Sequence, residues 1–310
     1  MKILITGGAG FIGSHLVDAL INKGHQIIVF DNLSTGKKEN LNPKASFKKI
    51  DLKNLSKVKK LVLKEKFEII FHLAAQINSR KSVFNPINDA QDILNALNLI
   101  ESAKTLKEQG ILKKFIFAST GVVYGDHVQR PTSETEKEWP LCPYGIEKLT
   151  IDKYLNYYHR IFNLNFISFR LANVFGPRQN PQSEAGVISI FLEKMLKNQQ
   201  PTIYGDGTQT RDYIYIEDII SANLLALENL DKTGIYNLGT GFETSVNKLF
   251  DHLNVFFNQE YEKKHAPAQL GEGKKIALTA EKFKQEFNWK PKINFEAGLT
   301  KTFNWFKNKS

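Results

Sequence analysis

Apolar and polar positions along the first 171 residues follow two alternating rhythms. Short apolar runs, rich in β-branched and aromatic residues, occur at KILIT (2–6), QIIVF (26–30), SFKKI (46–50), EIIFHL (68–73), KFIFAS (114–119) and NFISFRL (165–171). Their length and composition predict strands. Between them, apolar residues recur at helical spacing. Ile12, Leu16, Ala19 and Leu20 share a face over 11–23, and Ala90, Ile93, Leu94, Leu97 and Ile100 over 87–109. Ile151, Tyr154, Leu155 and Tyr158 do the same over 144–162. Buried strands alternating with helices predict an α/β fold, a Rossmann-type doubly wound parallel sheet with helices on both faces.

The rhythm changes after about residue 173. GPRQNPQ is a loop, GDGTQTRDYIYIED reads as turn, strand and helix start with Asp218 in its first residues, and GIYNLGTG is a strand with a glycine exit. Helical patterns return at 245–258, 279–288 and 295–307. This divides the chain into a first domain over 1–172, with later strands interleaved from about 211–240, and a smaller C-terminal α/β lobe over 173–310. A cleft between them is the expected ligand site.

Composition narrows the class. The 310 residues are 42% hydrophobic and 24% charged, which suits a globular chain with a sizeable core. No apolar run approaches the roughly 20 residues of a membrane span. MKILITGG has no signal-peptide pattern, and the single cysteine, Cys142, forms no internal disulfide. A soluble, cytoplasmic protein is expected, without a membrane partner. The net charge of +10 comes from dispersed lysine pairs without interleaved aromatics, so nucleic acid is not expected either. The seven histidines are scattered and no catalytic metal is expected.

Two motifs carry chemistry. ITGGAGFIGSHL sets Gly7, Gly8, Gly10 and Gly13 between the first strand and first helix. Such glycines allow a tight turn, close approach of backbone to a pyrophosphate and close helix–strand packing, and the helix start offers N–H groups to phosphate. Asp31 ends the second strand, where a carboxylate binds the adenine-ribose diol and favours NAD over NADP. The alternative for Asp31 is a plain Asp-Asn turn, and Lys37 and Lys38 keep NADP open. Asp51–Leu52 and HLAAQ (72–76) end the third and fourth strands, as cofactor contacts or as ordinary strand exits.

In PYGIEK, Tyr144 and Lys148 are four apart and share a helix face, with Pro143 in the first turn. A free phenol, with a pKa of about 10, is a poor base at neutral pH; a neighbouring ammonium favours the phenolate. A surface Tyr–Lys pair is the plain alternative, made remote by the glycine turn upstream.

Taken together, TGGAGFIGSHL, DNLSTG, HLAAQ, FASTGVVYG, PYGIEK, RLANVFGPRQNP, GDGTQTRDYIYIEDI, YNLGTG and FNWKP resemble the extended short-chain dehydrogenase/reductase family over nearly the whole chain. The likeness is to its nucleotide-sugar branch, the NAD-dependent epimerases and dehydratases, and most closely to the UDP-glucose 4-epimerases. The resemblance implies bound NAD, a UDP-sugar substrate and a homodimer built through helices like 87–109 and 144–162. It implies that Tyr144 takes the proton of the sugar 4-hydroxyl, that Lys148 holds the nicotinamide ribose and lowers the tyrosine pKa, and that Thr120 hydrogen-bonds the same oxygen. Implied cofactor contacts are Gly7, Gly10, Phe11, Ile12, Gly13, Asp31, Asn32, Ser34, Gly36, Asp51, Leu52, Leu73, Ala74, Ala75, Gln76 and Asp92, with Tyr144 and Lys148. Implied substrate contacts are Thr120, Tyr144, Asn173, Val187, Arg211, Gln269 and Glu272.

The chain departs from the family pattern at two places. Gln269 stands where an arginine usually clamps the diphosphate, with Lys274 or Lys275 as replacements, and Asp92 stands where asparagine is frequent. Sibling dehydratases carry an Asp-Glu pair after the threonine, and decarboxylases carry an acid close behind it. Gly121 and Val122 occupy those positions here, which favours epimerisation. A dinucleotide-sensing protein without turnover is the rival of another class; such proteins commonly lack the tyrosine or the lysine. The choice between a plain and an N-acetylated sugar is not legible, although Ile276 is one position near which it could be decided.

Overall fold

The computed structural model describes residues 1–75, 79–126, 129–182, 186–271 and 273–309. The first half runs β1 (Lys2–Thr6), α1 (Phe11–Asn22), β2 (Gln26–Asp31), β3 (Ser46–Lys49), α2 (Leu55–Glu65), β4 (Ile69–His72), α3 (Ser79–Phe84), α4 (Pro86–Glu108), β5 (Lys114–Thr120), α5 (Pro143–Phe162) and β6 (Phe166–Leu171). The second half runs β7 (Asn173–Phe175), α6 (Val187–Leu196), β8 (Thr202–Tyr204), β9 (Thr210–Arg211), β10 (Tyr213–Tyr215), α7 (Ile216–Glu228), β11 (Gly234–Leu238), β12 (Thr244–Ser245), α8 (Val246–Asn254), β13 (Lys264–Ala266), β14 (Lys275–Ile276), α9 (Glu281–Phe287) and α10 (Phe295–Lys309).

Seven parallel strands form one sheet in the order β3-β2-β1-β4-β5-β6-β11. Central strands are apolar at nearly every position because both faces are covered: Ile3, Leu4, Ile5, Ile69, Ile70 and Phe71 are all fully buried. On one face Leu16, Val17 and Leu20 of α1 share a core with Ile219, Ala222 and Ala226 of α7. On the other, Val58 and Val62 of α2, Leu99 and Leu106 of α4, and Ile151 and Leu155 of α5 form a second core. Strand order reverses beside β1, which opens a crevice at the C-terminal ends of β1 and β4. Residues beyond β6 add one strand, β11, to this sheet; the others pair as β7 with β10, β12-β9-β14 and β8 with β13. Among the described residues no helix is long and apolar enough to cross a membrane, and no cluster of three His, Cys, Asp or Glu could hold a metal.

The structure corrects two predicted helix faces. On α4 the residues that meet the sheet are Ala96, Leu99, Ile100, Ala103 and Leu106. Ala90 and Leu94 face outward, and Ile93 and Leu97 are only half-buried. This helix is apolar on two sides, and the side with alanines at 96 and 103 comes closest to the sheet. On α5, Ile151, Leu155 and Tyr158 are buried while Tyr154 is exposed. Helices α2, α3 and α6 lie outside the predicted set. In α2 four lysines, at 57, 59, 60 and 64, surround the two buried valines, Val58 and Val62.

Candidate active site

The turn between β1 and α1 admits only glycine at two points. Gly7 has φ +74°, and a Cβ there would lie 2.8 Å from Ala74 N. A Cβ on Gly13 would lie 2.2 Å from the Gly7 carbonyl oxygen. The N-cap of α1 is Gly10, with no side-chain cap and no acid in the first turn. The N–H groups of the helix start therefore face the crevice with their partial positive charge unclaimed by a carboxylate.

A cleft of about 720 Å³ runs from this turn along the strand ends. It brings together most of the residues that the sequence singles out. Gly7, Gly10, Phe11, Ile12, Gly13, Asp31, Asn32, Ser34, Asp51, Leu52, Leu73, Ala74, Ala75 and Asp92 line it, as do Thr120, Tyr144, Lys148, Asn173, Val187 and Ile276. Gln76 and Glu272 lie outside the described residues. Asp31, nearly buried, accepts from Ala9 N at 3.0 Å and Leu33 N at 2.8 Å, so its carboxylate ties the glycine turn to the end of β2. Gly36 is not part of the lining. A Cβ there would meet the Ala9 side chain at 2.9 Å and Asp31 Oδ1 at 3.1 Å, so it lets the DNLSTG loop close on both.

Pro143 starts α5, and Tyr144 N donates to Ser82 Oγ at 2.7 Å, fixing the first turn against α3. One turn on, Lys148 Nζ lies 5.6 Å from the centre of the Tyr144 ring and 5.0 Å from that of Phe117. The Thr120 hydroxyl, at the end of β5, lies beside the Tyr144 phenol and favours its ionised form. Thr120 Oγ1 also accepts from Val122 N at 3.3 Å and so caps the 3₁₀ turn that follows.

Lys148 pulls the tyrosine pKa down, as the resemblance implies, but the net shift in the protein alone is upward. Burial raises it most; Lys148 pulls it down but does not overcome burial, and Glu147 adds to the rise. A contributor that the sequence reading does not name is Glu147, buried to 1% side-chain exposure with Oε1 3.1 Å from Lys148 Nζ. Its position was legible: it lies three residues after Tyr144, on the face that Tyr144 and Lys148 define. Burial pushes Glu147 up to about 7, against the opposing pull of Lys148. His72, below Lys148, is a second residue that the sequence does not flag. Burial pushes it down to about 3, and Lys148 adds to the drop. Thr6 Oγ1 accepts from Leu73 N and Ala74 N, which leaves its proton for His72 Nδ1 at 2.8 Å. The neutral imidazole thus steadies the strand exit that lines the cleft.

On the C-terminal side, Arg211 Nη1 donates to Thr210 O at 2.8 Å and Lys274 O at 3.4 Å. Neither Arg211 nor Gln269 is part of the cleft lining. Asp212 accepts from Thr240 N, Gly241 N and Leu278 N, and Asp218 from Lys292 N and Ile293 N. Gly121 is closed from above: a Cβ would lie 2.9 Å from Leu278 Cδ1, and Leu278 is fully buried. Cys142 is buried at the N-cap of α5, outside the cleft lining, and burial raises its pKa.

A dinucleotide fits these residues. The glycine-only turn and the uncapped helix start suit a diphosphate, and Asp31 at the end of β2 suits a ribose diol. Residues 3–239 match the family described as NAD dependent epimerase/dehydratase. A UDP-glucose 4-epimerase of Mycolicibacterium smegmatis is 36% identical over 315 residues, covering all of both chains. The crystal structure of a Thermotoga maritima UDP-glucose 4-epimerase with UDP-glucose superposes with a TM-score of 0.94 at 42% identity, over 100% of this chain and 99% of that one. A UDP-N-acetylglucosamine 4-epimerase of Methanobrevibacter ruminantium, in complex with UDP-N-acetylmuramic acid, does so with a TM-score of 0.91 at 33% identity, over 100% and 99%.

Proposed function

Because the chain belongs to the NAD dependent epimerase/dehydratase family, we propose that this NAD-dependent isomerase inverts C4 of a UDP-hexose, UDP-glucose/UDP-galactose or the N-acetylated pair. When bound, NAD supplies the acceptor for the hydride from C4 and later its donor to the other face of the 4-keto sugar. The chain's residues do the rest. Tyr144 takes the proton of the 4-hydroxyl and returns it, and Thr120, beside it, steadies the same oxygen. Lys148 sets the field in which the phenol ionises and holds the ribose of the cofactor. The glycine turn and the start of α1 take the cofactor phosphates, and Asp31 takes the adenosine ribose. Asn173 and Val187, which line the cleft, face the nucleoside diphosphate; Arg211 and Gln269 lie outside the lining and are given no contact to it.

The observation that carries epimerisation over elimination is the pair of residues beside Thr120. Water loss from C5–C6 needs an acid next to the threonine, and there Gly121 and Val122 line the cleft without one. Two copies would meet through the outward faces of α4 and α5, where Leu94, Ile146, Tyr154, Tyr157 and Ile161 are exposed. The test is an NMR assay of UDP-glucose, UDP-galactose, UDP-N-acetylglucosamine and UDP-N-acetylgalactosamine with NAD supplied. Interconversion of at least one 4-epimeric pair is expected; none for either pair would overturn the reading.

A further inference from the structure

Most buried carboxylates of this protein have several partners. Asp152 accepts from Ser119, Ser168 and Arg170, Asp212 from three backbone N–H groups, and Asp218 from two. Glu147 differs. Both its oxygens are buried, and beyond the ion pair with Lys148 neither finds a hydrogen-bond partner among the described residues. It caps no helix and ties down no loop. A buried carboxylate with a single partner is costly, so its one contact defines what it does.

We propose that Glu147 is a positioning residue: it holds the Lys148 ammonium in place and partly cancels the positive charge that Tyr144 feels, which tunes the reacting phenol. This rests on the assignment of Tyr144 as the base. The groups facing Lys148 are Glu147 and Tyr144 on α5, Asp89 and Asp92 on α4, and His72 on β4; Cys142 faces Tyr144 from the N-cap. Asp92 accepts from Asn95 at 3.1 Å, and His72 and Cys142 are held neutral by burial; Asp89 is buried without a hydrogen-bond partner among the described residues, and burial raises its pKa. Burial lowers the Lys148 pKa, but Glu147 first, then Tyr144 and Asp92, outweigh it and the net shift is upward. The sign for Tyr144 follows. Above neutrality Glu147 is charged, opposes Lys148 and keeps the phenol protonated to higher pH.

Glu147→Gln removes that charge at nearly constant shape. It is expected to lower both titrations: the Tyr144 midpoint and the two limbs of the pH–kcat profile should move acidward by about one pH unit. The midpoint is read without substrate, as tyrosinate absorbance minus that of Tyr144→Phe. Glu147→Met, an apolar filler of the same slot, should shift it equally, and Glu147→Asp should keep the wild-type midpoint. A midpoint in both uncharged variants within about 0.2 unit of wild type, a small fraction of a nearby charge's effect, would overturn the proposal, as would an Asp variant displaced as far as the Gln variant. A purely structural Glu147 would lower kcat at every pH and leave midpoint and limbs in place. Failure of the epimerase reading would appear separately, as no sugar interconversion by the wild type.

Discussion

At the residue scale, the reacting corner is a contest between burial and charge. Tyr144 is half-buried at the cleft, and Lys148 and Thr120 only partly offset what burial costs the phenolate. Tyr144→Phe removes the proton acceptor and little else. Its kcat is expected to fall by about 10²–10⁴, the usual worth of a positioned acid–base group, with the fold unchanged by circular dichroism. Wild-type turnover in that variant would refute the assignment. His72 yields a pH prediction. Its folded pKa, about 3, lies below the unfolded value of 6.5, so its contribution to stability is complete above pH 6.5 and is lost as pH falls toward 3. Between pH 6.5 and 5 this amounts to about 2 kcal/mol. In His72→Gln the drop in Tm over that interval, measured by calorimetry, is expected to be smaller than in wild type.

At the element scale, the ends of β5 and β6 and the middle of α5 are tied together by Arg170. Its guanidinium, 1% exposed, donates to Asp152 at 3.0 Å, Tyr124 at 2.8 Å and Glu138 at 2.8 Å, directly below the strand end that carries Thr120. Arg170→Met would leave the Asp152 carboxylate buried without its cation, at a cost of about 3–5 kcal/mol. Adding Asp152→Asn should recover a substantial part, and strict additivity in denaturant unfolding would argue against the coupling. Element by element, the sequence was informative where one force dominated. Runs such as KILIT are buried on both faces, so their apolar content is nearly continuous and their ends lie within one or two residues of prediction. The glycine turn was legible because steric closure admits no other residue at Gly7 and Gly13. The face of α4 was misread because Leu94 and Ile93 are as apolar as Leu99 and Leu106, and spacing alone does not tell core from an outward apolar surface. Glu147 went unread because an acid on a helix ordinarily faces water, and only the phase set by Tyr144 and Lys148 places it inside. Arg211 and Gln269 were chosen by likeness to a motif, which says nothing of how far their side chains stand from the cleft.

At the scale of the whole molecule, the misread face acquires a use. α4 and α5 pack side by side on the same side of the sheet, and their outer surfaces carry Ile87, Leu94, Ile146, Tyr154, Tyr157 and Ile161, all more than a third exposed. On α4, residues 87, 90 and 94 fall on one stripe; on α5, residues 146, 154, 157 and 161 do the same. Two parallel stripes on adjacent helices are the surface that a second copy, turned by a two-fold axis, can cover with the same surface of its own. Light scattering after size exclusion should therefore give twice the 35.3 kDa chain mass. Leu94→Lys, which places like charges near one another across such an interface, should return the monomer mass. The cleft opens at the strand ends, while these stripes lie on a helical layer, so the monomeric variant is expected to keep its folded circular dichroism. A wild-type chain that elutes at monomer mass across the micromolar range would remove the dimer from this reading and leave the outer face of α4 without a partner.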